Sequence, residues 1–303
     1  MNKIKRKFVL LNMIIITSIA VLIALLLYFI SSPAQITFAR LLGIIVVMLV
    51  PVCVGSFLSA KIAMKPVQSS WQHQIDFTAN ASHELRTPLA VIQSNLELVM
   101  DNQNETVKSQ MKWLNNVHLE TVRMAKLVDD LLTLSRSDSG AKTLEYSRFS
   151  LNSAAKEAAA LFETMANQKD IIIQIAADRE ISFWGDYSRI KQLFVILLDN
   201  AVKYSDKPGS IQITLAKKDR SIQLAVSDTG IGIAGEHLPE IFNRFYRVTC
   251  SGVSGAENNE QSANGFGLGL SIARWIVKEH GGSIKAESAP KKGTRFTAVF
   301  PQK

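Results

Sequence analysis

Hydrophobic residues follow three different patterns along the chain, and the first pattern is two unbroken apolar runs. Residues 8–30 contain no charged side chain, and residues 41–58 form a second uncharged run. At about 1.5 Å per residue, a run of this first length can cross a hydrocarbon core of roughly 30 Å. A cleaved signal peptide is the alternative for the first run, but its apolar part usually has about 7–15 residues. The pattern predicts two transmembrane helices, at about 8–30 and 41–60.

Basic residues lie on the outer sides of the two runs. Four lysine or arginine side chains within residues 3–7 precede the first run, and Lys61 and Lys65 follow the second. The connection at 31–40 carries one positive charge. The positive-inside rule then places both termini in the cytoplasm. We expect a multi-pass protein of the cell membrane, with its N-terminus and the bulk of the chain on the cytoplasmic side of the lipid bilayer.

In the second pattern, apolar or small residues are spaced alternately four and three positions apart. Such residues form the contact seam of helices that pack in a bundle. In a first helix these seam positions are Trp71, Ile75, Thr78, Ser82, Leu85, Leu89, Ile92, Leu96 and Val99. In a second helix they are Val107, Met111, Leu114, His118, Thr121, Ala125, Val128 and Leu132. The segment DNQNE at 101–105 predicts a turn between them, and hence an antiparallel hairpin. Two hairpins can bury their seams as a four-helix bundle, so we predict a homodimer.

The segment SHELRTP at 82–88 places charges, a histidine and a proline in the first helix. His83 follows a seam position, so its ring can face solvent. Pro88 should cost a helix interior about 3 kcal/mol, so a reason other than stability is expected for it. His118 falls on the seam of the second helix, where a core or rim histidine is favoured over a catalytic one.

The third pattern begins after SRSDSGAK at 135–142, which predicts a linker, and it mixes alternating and helical periods. The predicted strands are 144–149, 171–176, 181–184, 210–216, 221–228, 283–287 and 294–300. The predicted helices are 151–166, 187–204 with Asp186 as N-cap, and about 267–280. Helices with a mainly antiparallel sheet predict a two-layer α/β sandwich. We expect three domains: a membrane region at 1–66, a helical domain at 67–140 and the α/β domain at 141–303.

Composition excludes several classes of function. The net charge of +8 comes without a basic stripe interleaved with aromatic residues, so no nucleic-acid partner is expected. Part of the excess is the juxtamembrane lysines, which suit an anionic inner leaflet. The two cysteines, Cys53 and Cys250, lie in an apolar run and in a loop rich in glycine and serine, so neither a disulfide nor a metal site is implied.

A carboxylate ends one of the predicted strands. In SIQLAVSD at 221–228, alternation places Asp228 on the same face as three apolar residues. A buried carboxylate needs a hydrogen-bond donor, and the exocyclic amine of a base would supply one. The following glycines, Gly230 and Gly232, leave room for a ligand. A purely structural turn is an equally good interpretation of this segment taken alone.

Two further segments have the chemistry of a phosphate site, although each is weak alone. The segment GFGLGL at 265–270 opens a helix, and glycines there let backbone N–H groups approach an anion. It lacks the preceding strand of a dinucleotide fingerprint, and no Walker-A lysine is present. Asn200, Lys203 and Tyr204 share one helix face, where an amide oxygen can bind Mg²⁺ and an ammonium can meet phosphate. A solvated helix end is the favoured alternative for that segment alone.

Together these segments resemble the bacterial membrane-bound sensor histidine kinases of two-component systems, over roughly residues 67–303. FTANASHELRTPLAVIQ at 77–93 resembles their dimerisation and phosphotransfer (HisKA-type) signature. The ATP-binding half is similar to the Bergerat (GHKL) ATPase fold in its motifs LLDNAVKYS at 197–205, DTGIGI at 228–233, IFNRFYRV at 241–248, GFGLGLSIAR at 265–274 and GTRF at 293–296. The motifs occur in the expected order, and their joint specificity is high.

The resemblance implies a protein-histidine kinase that uses ATP and Mg²⁺ and transfers the phosphoryl group to an aspartate of a cognate response regulator. It implies that His83 is the phosphoacceptor, Glu84 its general base or orienting group, and Thr87 the residue that positions water for dephosphorylation of the regulator. Pro88 would mark a bend where the bundle flexes between kinase and phosphatase geometries. A histidine, with an ordinary pKa of about 6.5, is largely neutral in the cytoplasm and can attack phosphorus.

The resemblance also implies roles for the ATP-binding residues. Asn200 would be the Mg²⁺ ligand, and Asp228 would read the adenine. The residues implied to contact the nucleotide or to shape its site are Lys203, Tyr204, Gly230, Gly232, Arg244, Gly265, Gly267, Gly269 and Thr294. Residues 251–264 would be a mobile lid over ATP.

One position departs from the family pattern, and the sensing region is short. Many relatives have asparagine four residues before the Mg²⁺ ligand, where this chain has Ile196, so Mg²⁺ affinity could be lower. Ten residues between the runs cannot fold into a ligand-binding domain, and residues 60–71 are too few for a full HAMP-type relay. The stimulus is therefore expected within the membrane, from the lipid or from a partner membrane protein such as a transporter.

Two other functions fit parts of the sequence. A catalytically weak membrane scaffold that binds nucleotide and regulator would explain Ile196. Another Bergerat ATPase, of gyrase or chaperone type, would explain the ATP-binding motifs but not SHELRTP.

Overall fold

The computed structural model describes residues 18–19, 21–23, 25–26, 38–138, 144–177, 179–218, 220–248 and 265–302. The chain forms two compact units, Met1–Ala79 and Asn80–Lys303. Among the described residues, no helix has both the length and the apolar character needed to cross a membrane. Most of the first apolar run lies outside the described residues.

Two long helices form the predicted hairpin. Helix α1 is Phe38–Asp101 and helix α2 is Val107–Asp138. The turn between them is stabilised by the buried Gln110 side chain, whose Nε2 donates to the carbonyl oxygen of Asn102 at 2.6 Å. The Asn116 side chain also donates to Asn95 across the hairpin, at 3.2 Å. Helix α1 continues through Pro88, which is buried.

The predicted seam of α2 is largely exposed in the single chain. Val107, Met111, Val128 and Leu132 are all more than 40% exposed, and His118 is exposed too. The fully buried leucines of α2 are instead Leu127 and Leu134, on a neighbouring stripe of the helix. The seam therefore remains available to a second copy of the chain.

The predicted linker at 135–142 is wrong in its first half. Helix α2 continues through residues 135–138, because the buried Leu134 holds its last turns in place and the exposed Ser135 and Arg136 are compatible with a helix surface. Residues 139–142 of the predicted linker lie outside the described residues.

The described residues from 144 to 302 contain seven strands and four shorter helices. The strands are β1 Tyr146–Ser150, β2 Ile171–Ala177, β3 Ser182–Asp186, β4 Gly209–Lys218, β5 Ser221–Asp228, β6 Ser283–Ser288 and β7 Thr294–Pro301. The helices are α3 Leu151–Ala160, α4 Glu163–Gln168, α5 Tyr187–Tyr204 and α6 Gly269–Glu279. The single helix predicted at 151–166 is therefore two helices.

The strands form two sheets, and the larger one confirms the mainly antiparallel prediction. Its order is β2-β4-β5-β7-β6, with only the β2–β4 pair parallel. Strands β1 and β3 form a separate antiparallel pair. Helix α5 packs against α3, α6 and β5, so helices cover one face of the sheet. The core between the layers includes the fully buried Phe194, Leu197, Leu224 and Phe300. This is the predicted two-layer α/β sandwich.

The start of α5 is fixed by a buried polar pair. Asp186 is the predicted N-cap, and its Oδ1 accepts from the Arg189 N–H at 3.0 Å. The backbone N–H of Asp186 donates to Nε2 of the buried His280 at 3.0 Å, while Nδ1 of His280 lies 2.8 Å from the carbonyl oxygen of Ile276. These contacts join β3, α5 and the end of α6, so the orientation of α5 is set at its first turn.

Candidate functional site

Asp228 lies at the end of β5, half-buried beyond the buried Ile222, Leu224 and Val226. Its Oδ1 accepts from the backbone N–H of Gly230 at 2.9 Å and from that of Thr294 at 3.1 Å. Burial raises the pKa of Asp228, and these two hydrogen bonds oppose the rise. Because both bonds fix Oδ1, the carboxylate has a set orientation, with acceptor capacity remaining for a ligand donor.

Three glycines around Asp228 occupy positions where a side chain cannot fit. A Cβ on Gly230 would lie 2.1 Å from the Tyr204 carbonyl oxygen, and one on Gly232 would lie 2.0 Å from that of Ala289. A Cβ on Gly293 would lie 1.9 Å from the carbonyl oxygen of Asp228, and its φ of 75° favours glycine as well. The close backbone packing makes a rigid wall next to the carboxylate.

The predicted residue Thr294 contributes to this wall with both its backbone and its side chain. Its hydroxyl oxygen lies 2.9 Å from that of Ser288, whose hydroxyl also donates to the carbonyl oxygen of Gly293 at 2.7 Å. The buried Thr294 thus ties the turn before β7 to the end of β6. This hydroxyl pair holds the N–H of Thr294 against Asp228.

Asn200, Lys203 and Tyr204 lie on the last two turns of α5, as predicted. Nδ2 of Asn200 donates to the carbonyl oxygen of Ile196 at 2.8 Å, so the amide nitrogen is turned toward its own helix. Burial lowers the pKa of Lys203, the Asp199 carboxylate raises it, and the charges of Lys126, Arg123 and Arg247 lower it. The carbonyl oxygen of Tyr204 accepts from the N–H of Ile231 at 3.1 Å, which joins the end of α5 to the DTGIGI turn.

The glycine segment before α6 approaches the same end of α5. A Cβ on Gly265 would lie 3.2 Å from Nζ of Lys203, and one on Gly269 would lie 3.4 Å from Cγ2 of Ile196. Gly267 has a φ of 69°, and its carbonyl oxygen accepts from the N–H of Phe245 at 2.9 Å. This contact brings the segment that carries the half-buried Arg244 to the glycine segment. The predicted lid residues, 251–264, lie outside the described residues.

We call the region formed by Asp228 with its glycine wall, the end of α5 and the glycine segment 265–269 the cradle. The three residues predicted for phosphotransfer lie on α1 and are not part of this cradle. His83 and Thr87 are exposed, and Glu84 is half-buried beside them. The Thr87 hydroxyl donates weakly to the carbonyl oxygen of His83, at 3.5 Å, which places the two residues one turn apart on the helix. The histidine is accessible to another domain or another protein.

The cradle fits a nucleotide with a divalent cation. It combines an oriented carboxylate, backbone packing that only glycine allows, a cationic side chain and an amide beside it. The described residues contain no group of three or more His, Cys, Asp and Glu side chains that could hold a metal ion. A cation here would therefore depend on Asn200 together with phosphate oxygens, as Mg²⁺ commonly does.

Several residues of this region were not predicted from the sequence. Gly293 and Ser288 support Asp228 from another part of the chain, and Phe245 takes a left-handed φ of 61° where it meets Gly267. The sequence KKGT before the last strand is a turn signal that could have indicated Gly293. The charges of Arg123 and Lys126 lower the pKa of Lys203, which is far from them in sequence, and no local pattern indicates this effect.

Family models match both halves of the described chain. The model described as "Histidine kinase-, DNA gyrase B-, and HSP90-like ATPase" matches residues 185–303. The model described as "His Kinase A (phospho-acceptor) domain" matches residues 73–140. The α/β sandwich with its cradle and the helical hairpin thus correspond to the two domains of a histidine kinase.

Curated relatives and solved structures agree with this class. Sensor histidine kinase RppB of Synechocystis sp. is 34% identical over 243 residues, which cover 80% of this chain and 52% of RppB. Sensor histidine kinase YkoH of Bacillus subtilis is 36% identical over 239 residues, which cover 78% of this chain and 49% of YkoH. The chain spans about half the length of these relatives. The structure of histidine kinase ThkA in complex with response regulator protein TrrA is similar over 79% of this chain and 65% of that one, with 25% identity and a TM-score of 0.61.

The chain belongs to the family of two-component sensor histidine kinases.

Proposed function

We propose that this chain phosphorylates itself on His83 with ATP and transfers the phosphoryl group to an aspartate of a response regulator. The observation that carries the proposal is the wall around Asp228, where two backbone N–H groups orient the carboxylate and three glycines leave no room for side chains. The exposed His83 on the hairpin of the same chain supplies the acceptor. The similarity to ThkA, whose structure is in complex with a response regulator, supports this kind of partner.

The residues of the cradle would bind and orient the nucleotide. Asp228 would accept a hydrogen bond from the exocyclic amine of adenine, beside Gly230, Gly232 and Thr294. Lys203, Tyr204 and Arg244 would face the phosphates, and Gly265, Gly267 and Gly269 would let backbone N–H groups approach them. Asn200 would be the protein ligand of Mg²⁺, which neutralises phosphate charge when bound.

The residues of the hairpin would carry the transfer. Glu84 would accept a hydrogen bond from Nδ1–H of His83, which leaves Nε2 with its lone pair directed outward. Nε2 would form the new bond to the γ-phosphorus as the bond to the leaving ADP oxygen breaks, and the proton would stay on Nδ1 until a base accepts it. Phosphoryl transfer of this type depends mainly on positioning and charge neutralisation. Thr87, one turn after His83, would position water for dephosphorylation of the regulator.

The experiment is incubation of the full chain, in detergent, with γ-labelled ATP and Mg²⁺. We expect an acid-labile label that His83→Ala abolishes and that His118→Ala, which changes an exposed histidine of α2, retains. Label that persists in His83→Ala would contradict the assignment of the acceptor. Turnover of ATP independent of His83 would instead support a gyrase- or chaperone-type ATPase.

A catalytically weak scaffold is the second candidate, and Ile196 is the observation that favours it. Its side chain lies where Gly269 begins α6, and an apolar group there cannot bind Mg²⁺ or order a water molecule. Retained ATP binding without any label on His83 would support the scaffold. Restoration of label by Ile196→Asn would identify this side chain as the cause.

We also propose that the chain acts as a homodimer. The exposed seam of α2 would be buried when two hairpins form a four-helix bundle. Replacement of Val128 and Leu132 by glutamate should convert dimers to monomers in sedimentation measurements. Unchanged dimers would contradict this interface.

The membrane arrangement is a further part of the proposal. Two spans, at about 8–30 and 41–60, would anchor a protein of the cell membrane whose N-terminus and domains 67–140 and 141–303 lie in the cytoplasm. We infer that the stimulus comes from the lipid or from a partner membrane protein such as a transporter. Exchange of both spans for an unrelated pair should abolish the response to stimulus while label on His83 persists.

Pro88 is proposed to set the balance between kinase and phosphatase activity. It lies in the interior of α1, where proline removes a backbone hydrogen bond and weakens the helix locally. Pro88→Ala should change the ratio of the two activities. An unchanged ratio would remove the basis for a functional bend.

A further inference from the structure

Helix α2 of the hairpin packs against α6, the helix that follows the glycine segment. Leu127 of α2 is completely buried. Lys126 directly precedes it, and Arg123 lies one turn before it. Because a buried leucine fixes the rotation of its helix, these two cationic residues have set positions on the domain that carries the cradle.

The Arg123 side chain is also oriented by its own helix. Its Nη1 lies 2.7 Å from Oε1 of Glu120, whose side chain is only 16% exposed. An ion pair with a largely buried carboxylate restricts the guanidinium more than an exposed pair would. Arg123 is therefore held in one region rather than extended freely into solvent.

The charges of Arg123, Lys126 and Arg247 all lower the pKa of Lys203, so two other segments bring positive charge toward the Lys203 ammonium. Lys203 stands at the end of α5, Arg123 and Lys126 come from α2, and Arg247 comes from the segment after β5. Gly265 borders this place, since a Cβ there would lie 3.2 Å from Nζ of Lys203. Asp199 is the carboxylate that acts on Lys203, against three other cations. Cations that repel one another in this way form a favourable arrangement when an anion lies among them.

We propose that Arg123 and Lys126 extend the phosphate site, so that the hairpin helix contributes to ATP binding and favours the triphosphate over the diphosphate. The inference rests on the proposed function, because it takes the cradle to be the nucleotide site. Each additional phosphate brings negative charge toward the cations of α2, and the adenosine part remains with Asp228. Bound ATP thereby strengthens the packing of α2 on the nucleotide-binding domain, and loss of the terminal phosphate weakens it.

The test compares binding of three ligands to the full chain in detergent at pH 8: a non-hydrolysable ATP analogue, ADP and adenosine. The variant is Arg123→Gln with Lys126→Gln. The matched control is Lys108→Gln with Lys112→Gln, which removes the same charge from the exposed first turns of the same helix. We expect the variant to bind the ATP analogue about three- to tenfold more weakly, ADP less so and adenosine unchanged. The difference should shrink at high salt, and the control should match the wild type.

Several results would overturn the proposal. Equal affinity of variant and wild type for the ATP analogue would show that α2 contributes nothing to the phosphate site. An equal loss for adenosine would show that the substitutions damage packing rather than remove phosphate contacts. Wild-type chain that binds none of the three ligands would refute the proposed function itself, which separates that failure from failure of this inference alone.

Discussion

Replacement of Asp130 by asparagine should stabilise the folded chain at neutral pH. Asp130 lies on α2, one turn before the fully buried Leu134. Burial raises its pKa from 3.8 to about 6, the charge of Lys126 lowers it, and that of Asp129 raises it. The folded chain therefore favours the protonated carboxyl, and the ionised form carries a penalty at pH 7.

The size of this penalty follows from the shift in pKa. A shift of about 2 units corresponds to about 3 kcal/mol of free energy of unfolding. Because the side chain is only half-buried and an amide must also be desolvated, we reduce the expected gain to about 1–2 kcal/mol.

The sign of the pH dependence is fixed by the direction of the shift. With its folded pKa raised, Asp130 contributes stability that is fully present below pH 3.8 and is lost as the pH rises through about 6. The advantage of asparagine should therefore be largest above pH 6, about half as large at pH 5, and only about a fifth as large near pH 4.

The assay is urea unfolding of the detergent-solubilised chain, followed by tryptophan fluorescence at pH 7.5 and pH 5. Asp101→Asn is the control, because its side chain is exposed at the end of α1 and its charge is not among those that shift the pKa of Asp130, and its effect should stay below about 0.5 kcal/mol. A loss of stability in Asp130→Asn at pH 7.5, or a gain that does not vary with pH, would refute the reasoning.

Two further predictions concern packing. Gly230→Ala should weaken ATP binding by at least about tenfold in equilibrium dialysis, because its Cβ would lie 2.1 Å from the Tyr204 carbonyl oxygen. The control Gly235→Ala should bind ATP normally, because no atom lies within 4 Å of the added Cβ. Normal binding by Gly230→Ala would mean that the wall adjusts easily. Leu127→Ala should lower the free energy of unfolding in urea titrations by about 2–5 kcal/mol, because the Leu127 side chain is completely buried. The control Leu119→Ala should change this free energy little, because the Leu119 side chain is 60% exposed. Similar effects of the two leucine changes would argue against the packing of α2 on α6.

Local signals predicted the regular elements well. Helix α5 and strand β5 begin and end where the sequence pattern placed them, because an N-cap aspartate and a clean alternation mark their limits. The remaining strands differ from their predicted limits by one or two residues.

The elements that were predicted wrongly depend on tertiary packing. Helices α3 and α4 are separated at residues 161–162, where the sequence contains no glycine or proline and where Phe162 turns into the core. Residues 135–138 continue α2 past the buried Leu134, although their polar sequence is typical of a linker. Neither contact can be read from the local sequence.

The residues of the candidate site also fall into two groups, those that the sequence predicts and those that depend on tertiary packing. Asp228, Asn200 and Lys203 follow from alternation, helix periodicity and family resemblance, because each lies within a recognisable motif. Gly293 packs against the backbone of Asp228, and the charges of Arg123 and Lys126 on α2 lower the pKa of Lys203, although these residues come from distant segments. Such residues can be identified only from the folded structure.

The strand order also constrains how the domain can be synthesised. Within the described part of the chain, β2 has β4 as its single partner strand, and β3 and α5 lie between them in sequence. A ribosome therefore releases β2 with both edges unpaired and with Ile172, which stays 61% exposed even after folding. Until β4 emerges, this strand can pair with other nascent chains. A translational pause between β2 and β4 should accordingly be the most aggregation-prone moment in the production of this domain.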